Sequence, residues 1–145
     1  MEMEEFYAAV GEILMYCQCI EHDVKRIYAF MIDGGFEKNM IRIEEERWTL
    51  GTVVHALRDF DATLDESFFS PADYALLGDI VRIRNYYAHE VYLSFCYLDN
   101  EEDLERSFNA ECRRVQKDRE RLSLLYEVVE DTRVRLLSND PLARY

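Results

Sequence analysis

The chain has 145 residues, 49% of them hydrophobic and 13% aromatic, which is one domain's worth of core and not a disordered segment. Five glycines and two prolines are too few for a collagen-like chain, a loop-rich disulfide scaffold or a sandwich with a turn every ten residues. Thirty acids against 17 bases give a net charge of −13, and that field opposes non-specific binding to duplex DNA. A small local site for single-stranded nucleic acid is compatible with it.

The first residues, Met1-Glu2-Met3-Glu4-Glu5, are acidic where a signal peptide is basic. Phe6, Val10, Ile13, Cys17, Ile20, Val24, Ile27 and Met31 then alternate four and three apart, a heptad seam that predicts a helix over about 3–32. Gly34-Gly35 stops it. Residues 36–48 read either as a short helix or as an ordered connection, with the run Glu44-Glu45-Glu46-Arg47 as a solvated face. A further helix is expected at about 49–64, capped by Thr49, with Leu50, Val53, Val54, Leu57, Phe60 and Leu64 on one face. Asp59-x-Asp61 reads as a solvated helix end rather than a metal pair. A loop follows, whose Phe68 and Phe69 are expected to plug the end of a bundle.

Ser70-Pro71-Ala72-Asp73 is a capping box with proline at the first helical position. No breaker except Gly78 appears before Asp99-Asn100, so this helix is expected over about 71–97. Its apolar surface is wide, so it is either the central helix of the bundle or one that also meets another subunit. Asn100 and Asp103 restart the chain into a last helix at about 101–137. Phe108, Val115, Leu122, Val129 and Leu136 recur there every seven residues, with Glu111 and Asp118 interrupting the intervening positions. Ser138-Asn139-Asp140-Pro141 ends it, and the tail to Tyr145 is expected to fray. The expected fold is all-α: a single domain over 1–145 with its core at about 5–135. It is an antiparallel bundle of four long helices, with residues 36–48 as either a short extra helix or a connection.

Cys17, Cys19, Cys96 and Cys112 form no C-x-x-C pair, so neither zinc nor another cofactor is expected. They read as reduced, mostly buried thiols of a cytoplasmic protein. No apolar run approaches the roughly 20 residues of a membrane span.

Arg84-Asn85-Tyr86-Tyr87-Ala88-His89 carries the candidate chemistry. An arginine fork stays charged and matches a phosphate. A histidine titrates near neutrality and moves protons. RNA supplies its own nucleophile, the 2′-OH. On an ideal helix Arg84 and His89 lie about 140° apart. Asn85, His89 and Tyr92 share a face, whereas Arg84 falls in line with Val81, Ala88, Val91 and Phe95. A bend, or a second copy of the helix across a two-fold axis, is needed to aim Arg84 and His89 at one phosphate. A second cluster, Glu21-His22-Asp23-Val24-Lys25-Arg26, lies on the first helix. Glu21 and Lys25 are spaced for an ion pair, and Arg26 is expected further toward solvent. His22 and His55 are expected in solvent.

In order and helical setting, Arg84-Asn85-x-x-x-His89 and Glu21-x-x-x-Lys25-Arg26 resemble the HEPN superfamily over about residues 5–135. The resemblance implies a small all-α bundle that dimerises, and metal-independent endoribonuclease activity in toxin–antitoxin, phage-defence or stress systems. It implies His89 as general acid/base, Arg84 on the scissile phosphate and Asn85 orienting it. Glu21, Lys25, Arg26 and Tyr92 would support the pocket. The implied partners are a second copy, single-stranded RNA or a tRNA loop as substrate, and an antitoxin protein. One branch carries a tyrosine two residues after the histidine, where this chain has Val91, with Tyr92 one later. The motif also occurs in HEPN-like proteins with no known cleavage, so the alternative is a non-catalytic interaction or regulatory module. In that case Arg84 and His89 lock packing or a dimer.

Overall fold

The computed structural model describes residues 1–138 and leaves out the side chain of Leu137; the fraying expected of the tail lies outside the described residues. Among these residues the chain is all-helical. Its elements are α1 (Met3–Met31), α2 (Phe36–Glu45), α3 (Leu50–Asp61), α4 (Pro71–His89), a 3-10 turn (Val91–Ser94) and α5 (Glu101–Ser138). The segment at 36–48, open between helix and connection, forms the helix α2. The chain divides into two compact units. One is Met1–Gln18 with Ile80–Leu124; the other is Cys19–Asp79 with Leu125–Tyr145.

The helix ends follow the side-chain chemistry of the sequence. The Thr49 hydroxyl accepts from the Thr52 N–H at 3.2 Å. The Ser70 hydroxyl accepts from the Asp73 N–H and the Asp73 carboxylate from the Ser70 N–H, closing the capping box. Asn100 accepts from the N–H groups of Glu102 and Asp103. The end of α1 has a partner that periodicity did not reveal. Gly34 and Gly35 turn the chain at φ +115° and +92°, and the buried Asn39 amide then donates back to the carbonyls of Ala29 and Ile32. Orphan carbonyls at a helix end are thus satisfied by a side chain from the next helix.

In the first unit the core consists of Phe6, Val10, Ile13 and Cys17 from α1, Ile80, Ile83 and Tyr87 from α4, and Val115 and Leu122 from α5. Val91 and Phe95 complete it. The helix expected over 71–97 ends at His89. After it the backbone leaves helical geometry at Glu90 (φ −124°) and continues as the 3-10 turn. Two competitors explain the stop. The Ser94 hydroxyl donates to the Val91 carbonyl at 2.7 Å, a local bond that competes with helical pairing. The rings of Tyr92 and Phe95 are drawn onto Phe6, 5.9 and 5.6 Å away.

In the second unit Ile20, Val24, Ile27, Leu50, Val53, Leu57, Leu77, Leu125 and Val129 are buried. Arg133 ties the two ends of this unit's long helices, bonding Glu130 at 2.6 Å and lying 3.7 Å from Asp23. Burial pushes the Asp23 carboxyl up, with Arg133 opposing and Glu130 adding to the effect. Cys17 and Cys112 are buried as expected, but Cys19 is half-buried and Cys96 is exposed.

Asp61 corrects the reading of Asp59-x-Asp61 as solvated. Asp59 is exposed, whereas Asp61 retains only 1% of its surface. One carboxylate oxygen accepts from the Phe68 N–H at 2.8 Å; the other accepts from the Phe69 N–H and, at 2.6 Å, from the Tyr74 hydroxyl. Asp61 is the polar hub that folds the 62–70 loop back and seats Phe69, now 2% exposed, against Tyr74. Asp61→Ala strips three donors of their acceptor, two of the bonds being buried, and is expected to cost on the order of 3 kcal/mol. Asp59→Ala is expected to stay within about 0.5 kcal/mol. Urea unfolding of the two variants checks the contrast.

Candidate functional site

The motif turn of α4 is held from behind by two adjacent tyrosines. The Tyr86 hydroxyl donates to Glu111 Oε1 and the Tyr87 hydroxyl to Asp118 Oδ2, both at 2.6 Å. Phenol–carboxylate bonds are charge-assisted and short. Their acceptors are seven residues apart on α5, about 10 Å along the helix, so α4 is gripped at two levels rather than at one point. The rings meet edge-on at 5.4 Å, and the Arg114 guanidinium lies 4.5 Å over the Tyr86 ring. These contacts explain Glu111 and Asp118, the polar interruptions of the α5 heptad. Glu111 is 7% exposed. Its Oε2 lacks a hydrogen bond, the nearest cation being Arg114 Nε at 4.0 Å.

Burial and the hydrogen bond to Glu111 push the Tyr86 phenol up to about 12. Tyr87 is pushed up more strongly, by burial first and then by Asp118.

The opposite side of the turn faces water. Asn85, Ala88 and His89 are exposed, and Arg84 is half-buried. His89 is the last residue of α4, and the helix is uninterrupted from Arg84 to it, so the two side chains leave the helix about 140° apart. The exposed Arg82 was not singled out from the motif. With Asn85 and His89 it is spaced three and four, so these three share one face. The signal was present in the spacing, since Arg82 and His89 are seven apart. Tyr92 does not extend this face. It sits on the 3-10 turn, its ring against Phe6, Tyr7 and Phe95, and its phenol is raised by burial, with Tyr7 and Cys96 adding.

Glu21, Lys25 and Arg26 belong to the second unit. Lys25 donates to Glu21 at 3.4 Å, both half-buried. Arg26 is not further out in solvent: it is half-buried, 5.0 Å over the Phe36 ring. His22 and His55 are exposed. None of the motif residues lines either of two surface cavities. One, of about 420 Å³, lies by Glu12, Tyr16 and Arg119 in the first unit. The other, of about 310 Å³, lies by Arg58, Asp61 and Tyr74 in the second. Among the described residues no group of three or more His, Cys, Asp or Glu is placed to hold a metal ion. No helix among them is long and apolar enough to cross a membrane. No family model matches the chain, and no curated protein or solved structure matches it.

The grip on α4 has a pH signature. A phenol raised in the folded state contributes stability that is complete below its unfolded value near 10. That stability is lost as pH climbs through the folded value near 12, because the unfolded chain then releases the proton first. Thermal stability is expected to fall between pH 9 and 12. Tyr86→Phe with Tyr87→Phe is expected to lower stability at pH 8 by about 2–4 kcal/mol, leaving buried carboxylate oxygens unpaired, and to flatten the alkaline slope. Thermal melts followed by circular dichroism across that range read both effects.

Proposed function

We propose that the chain is a HEPN-like, metal-independent endoribonuclease that acts as a toxin or as a defence or stress RNase in the cytoplasm. Its site would be completed across a homodimer. One observation carries the reading: Asn85 and His89 stand exposed on a turn whose other side is fixed by Tyr86 and Tyr87. His89 is exposed in one copy, so it is free of that copy's core; as an interface histidine it belongs to the second reading below.

The chemistry follows from the residue types. His89 takes the proton of the RNA 2′-OH as that oxygen attacks the adjacent phosphorus, or returns a proton to the departing 5′-oxygen. The P–O5′ bond breaks as the P–O2′ bond forms, leaving a 2′,3′-cyclic phosphate and a 5′-OH. Charge builds on the phosphoryl oxygens in between, and an arginine fork stabilises it. Arg84 cannot share a phosphate with His89 on one straight helix, so a two-fold pairing of α4 is what brings Arg84 of a second copy to His89. Arg82, on the His89 face, adds a phosphate contact within one copy. Asn85 lies between them on that face, where its amide orients the backbone. Glu21, Lys25 and Arg26 hold the α1–α2 end of their unit. The second reading, a non-catalytic HEPN-like interaction or regulatory module, draws on the net charge of −13, which repels RNA outside locally basic ground. An antitoxin protein belongs to the first reading.

His89→Ala is expected to reduce cleavage of single-stranded RNA about a hundredfold or more with an unchanged melt. Arg84→Ala and Arg82→Ala are expected to weaken cleavage and RNA binding together, and EDTA to change nothing. The wild-type chain is expected to be a dimer by light scattering at micromolar concentration, and to slow a host's growth where the His89→Ala chain does not. A pure dimer that cuts no RNA, or a His89→Ala chain as active as wild type, leaves the interaction module standing.

A further inference from the structure

Beyond the motif turn, the first unit ends in a ring cluster. Phe6, Phe95 and Phe108 lie within 5.6 Å of one another, centroid to centroid, and Tyr92 joins at 5.9 Å from Phe6. Phe6 and Phe95 are buried. The segments that carry these rings leave other large apolar side chains outside. Tyr7 is 54% exposed, Leu93 59%, Tyr97 79%, and Leu98 and Leu104 more than a third. Tyr7 stacks edge-on to Tyr92 at 5.8 Å. Leu93 follows Tyr92 directly. Leu98 is drawn back by its N–H to the Phe95 carbonyl, and Leu104 lies one α5 turn before Phe108. An exposed apolar margin around a buried aromatic centre is the ordinary makeup of an interaction surface.

The same segments are strongly acidic. Three glutamates stand among residues 2–5, Glu90 follows His89, and five acids stand among residues 99–105, all of them exposed. Across residues 2–7 and 90–106 the one lysine or arginine is Arg106, which lies 3.4 Å from Asp103. The exposed apolar side chains of these segments therefore stand among exposed carboxylates, and this charge selects the occupant. A second copy on a two-fold axis at this end would set these acids against identical ones, an unfavourable like-charge contact. Anionic lipid and RNA are repelled for the same reason. A partner whose apolar side chains are flanked by lysine or arginine meets both features.

We propose that this end of the first unit, centred on Tyr7, Leu93 and Tyr97, is a docking surface for a basic amphipathic segment of another protein. The proposal does not rest on RNA cleavage, and none of these three residues belongs to the catalytic machinery assigned above.

The test uses the full chain and three fluorescent synthetic peptides of about 18 residues, five helical turns. The first is a lysine–leucine peptide with leucines on one helical face. The second has glutamate in place of each lysine. The third has the first peptide's composition in an order that breaks the apolar face. Fluorescence anisotropy is expected to show micromolar binding of the first, about tenfold weaker binding of the third, and none of the second. Raising the salt is expected to weaken the first. Leu93→Ser and Tyr97→Ser together are expected to weaken it about tenfold without moving the melt, both side chains being exposed. Ile41→Ser, exposed in the other unit, is expected to leave it unchanged. Equal binding of the first and third peptides would mean charge alone attracts them and would overturn the proposal. So would an affinity insensitive to Leu93 and Tyr97. A dimer dissociated by Leu93→Ser with Tyr97→Ser in sedimentation would make a second copy the occupant. Binding to phosphatidylserine vesicles lost in the same variant would make it a membrane. Either result replaces the proposal.

Discussion

The paired bonds from Tyr86 to Glu111 and from Tyr87 to Asp118 are the constraint on which the first unit turns. A helix packed by apolar contacts alone can roll, because dispersion is non-directional. Two phenols 100° apart around α4, donating to carboxylates seven residues apart on α5, fix rotation and axial position together. Each bond also resolves a cost. A carboxylate inside a heptad seam is expensive unless it is paired, and a buried phenol needs an acceptor. The grip is incomplete at one atom, Glu111 Oε2, which has Arg114 at 4.0 Å but no hydrogen bond. Arg114 in turn covers the Tyr86 ring, so one guanidinium serves both a partly satisfied carboxylate and an aromatic face.

What that grip positions is the polarity of the motif turn. Because Tyr86 and Tyr87 are held inward, the positions one step before Tyr86 and two steps after Tyr87 are turned outward, and these are Asn85 and His89. The abrupt end of α4 matters equally. Had the helix run to residue 97, as its lack of breakers suggests, Tyr92 would have continued the Asn85–His89 stripe. Instead Tyr92 and Phe95 turn onto Phe6, and Phe95 onto Phe108, where the regular helix stops. The backbone keeps short-range bonds there, from the Leu93 N–H to Glu90 and from the Phe95 and Cys96 N–H groups to Tyr92, while the rings gain buried contact.

The parts legible in the sequence are those governed by short-range rules. The α1 seam, the Ser70–Asp73 box, the Thr49 and Asn100 caps and the length of α5 are fixed within a few residues of themselves, and spacing alone reveals them. Side chains whose partners lie beyond one helical turn were not legible. Asp61 looks like any acid at a helix end; nothing within four residues shows that it gathers Phe68, Phe69 and Tyr74. Asn39 is likewise an ordinary polar residue of α2 until its amide reaches back ten residues to Ala29. Glu111 and Asp118 appear in the heptad count only as interruptions, because their phenols come from 25 and 31 residues earlier. Arg26 looks solvent-bound until Phe36 covers it.

The sign of charge along the first unit's part of α4 then limits what can approach it. Arg82 and Arg84 precede His89, Glu90 follows it, and the acids of 99–105 come next in the chain. Along α4 itself an anion meets cations on the Arg82 side of His89 and a carboxylate on the Glu90 side. Arg82 and His89 share a face about 10 Å apart along the axis, comparable with the screening length at physiological salt, whereas the exposed Glu90 adjoins His89 directly. Within a few turns of His89 the local order of charges, more than the net charge of −13, decides what an approaching anion meets.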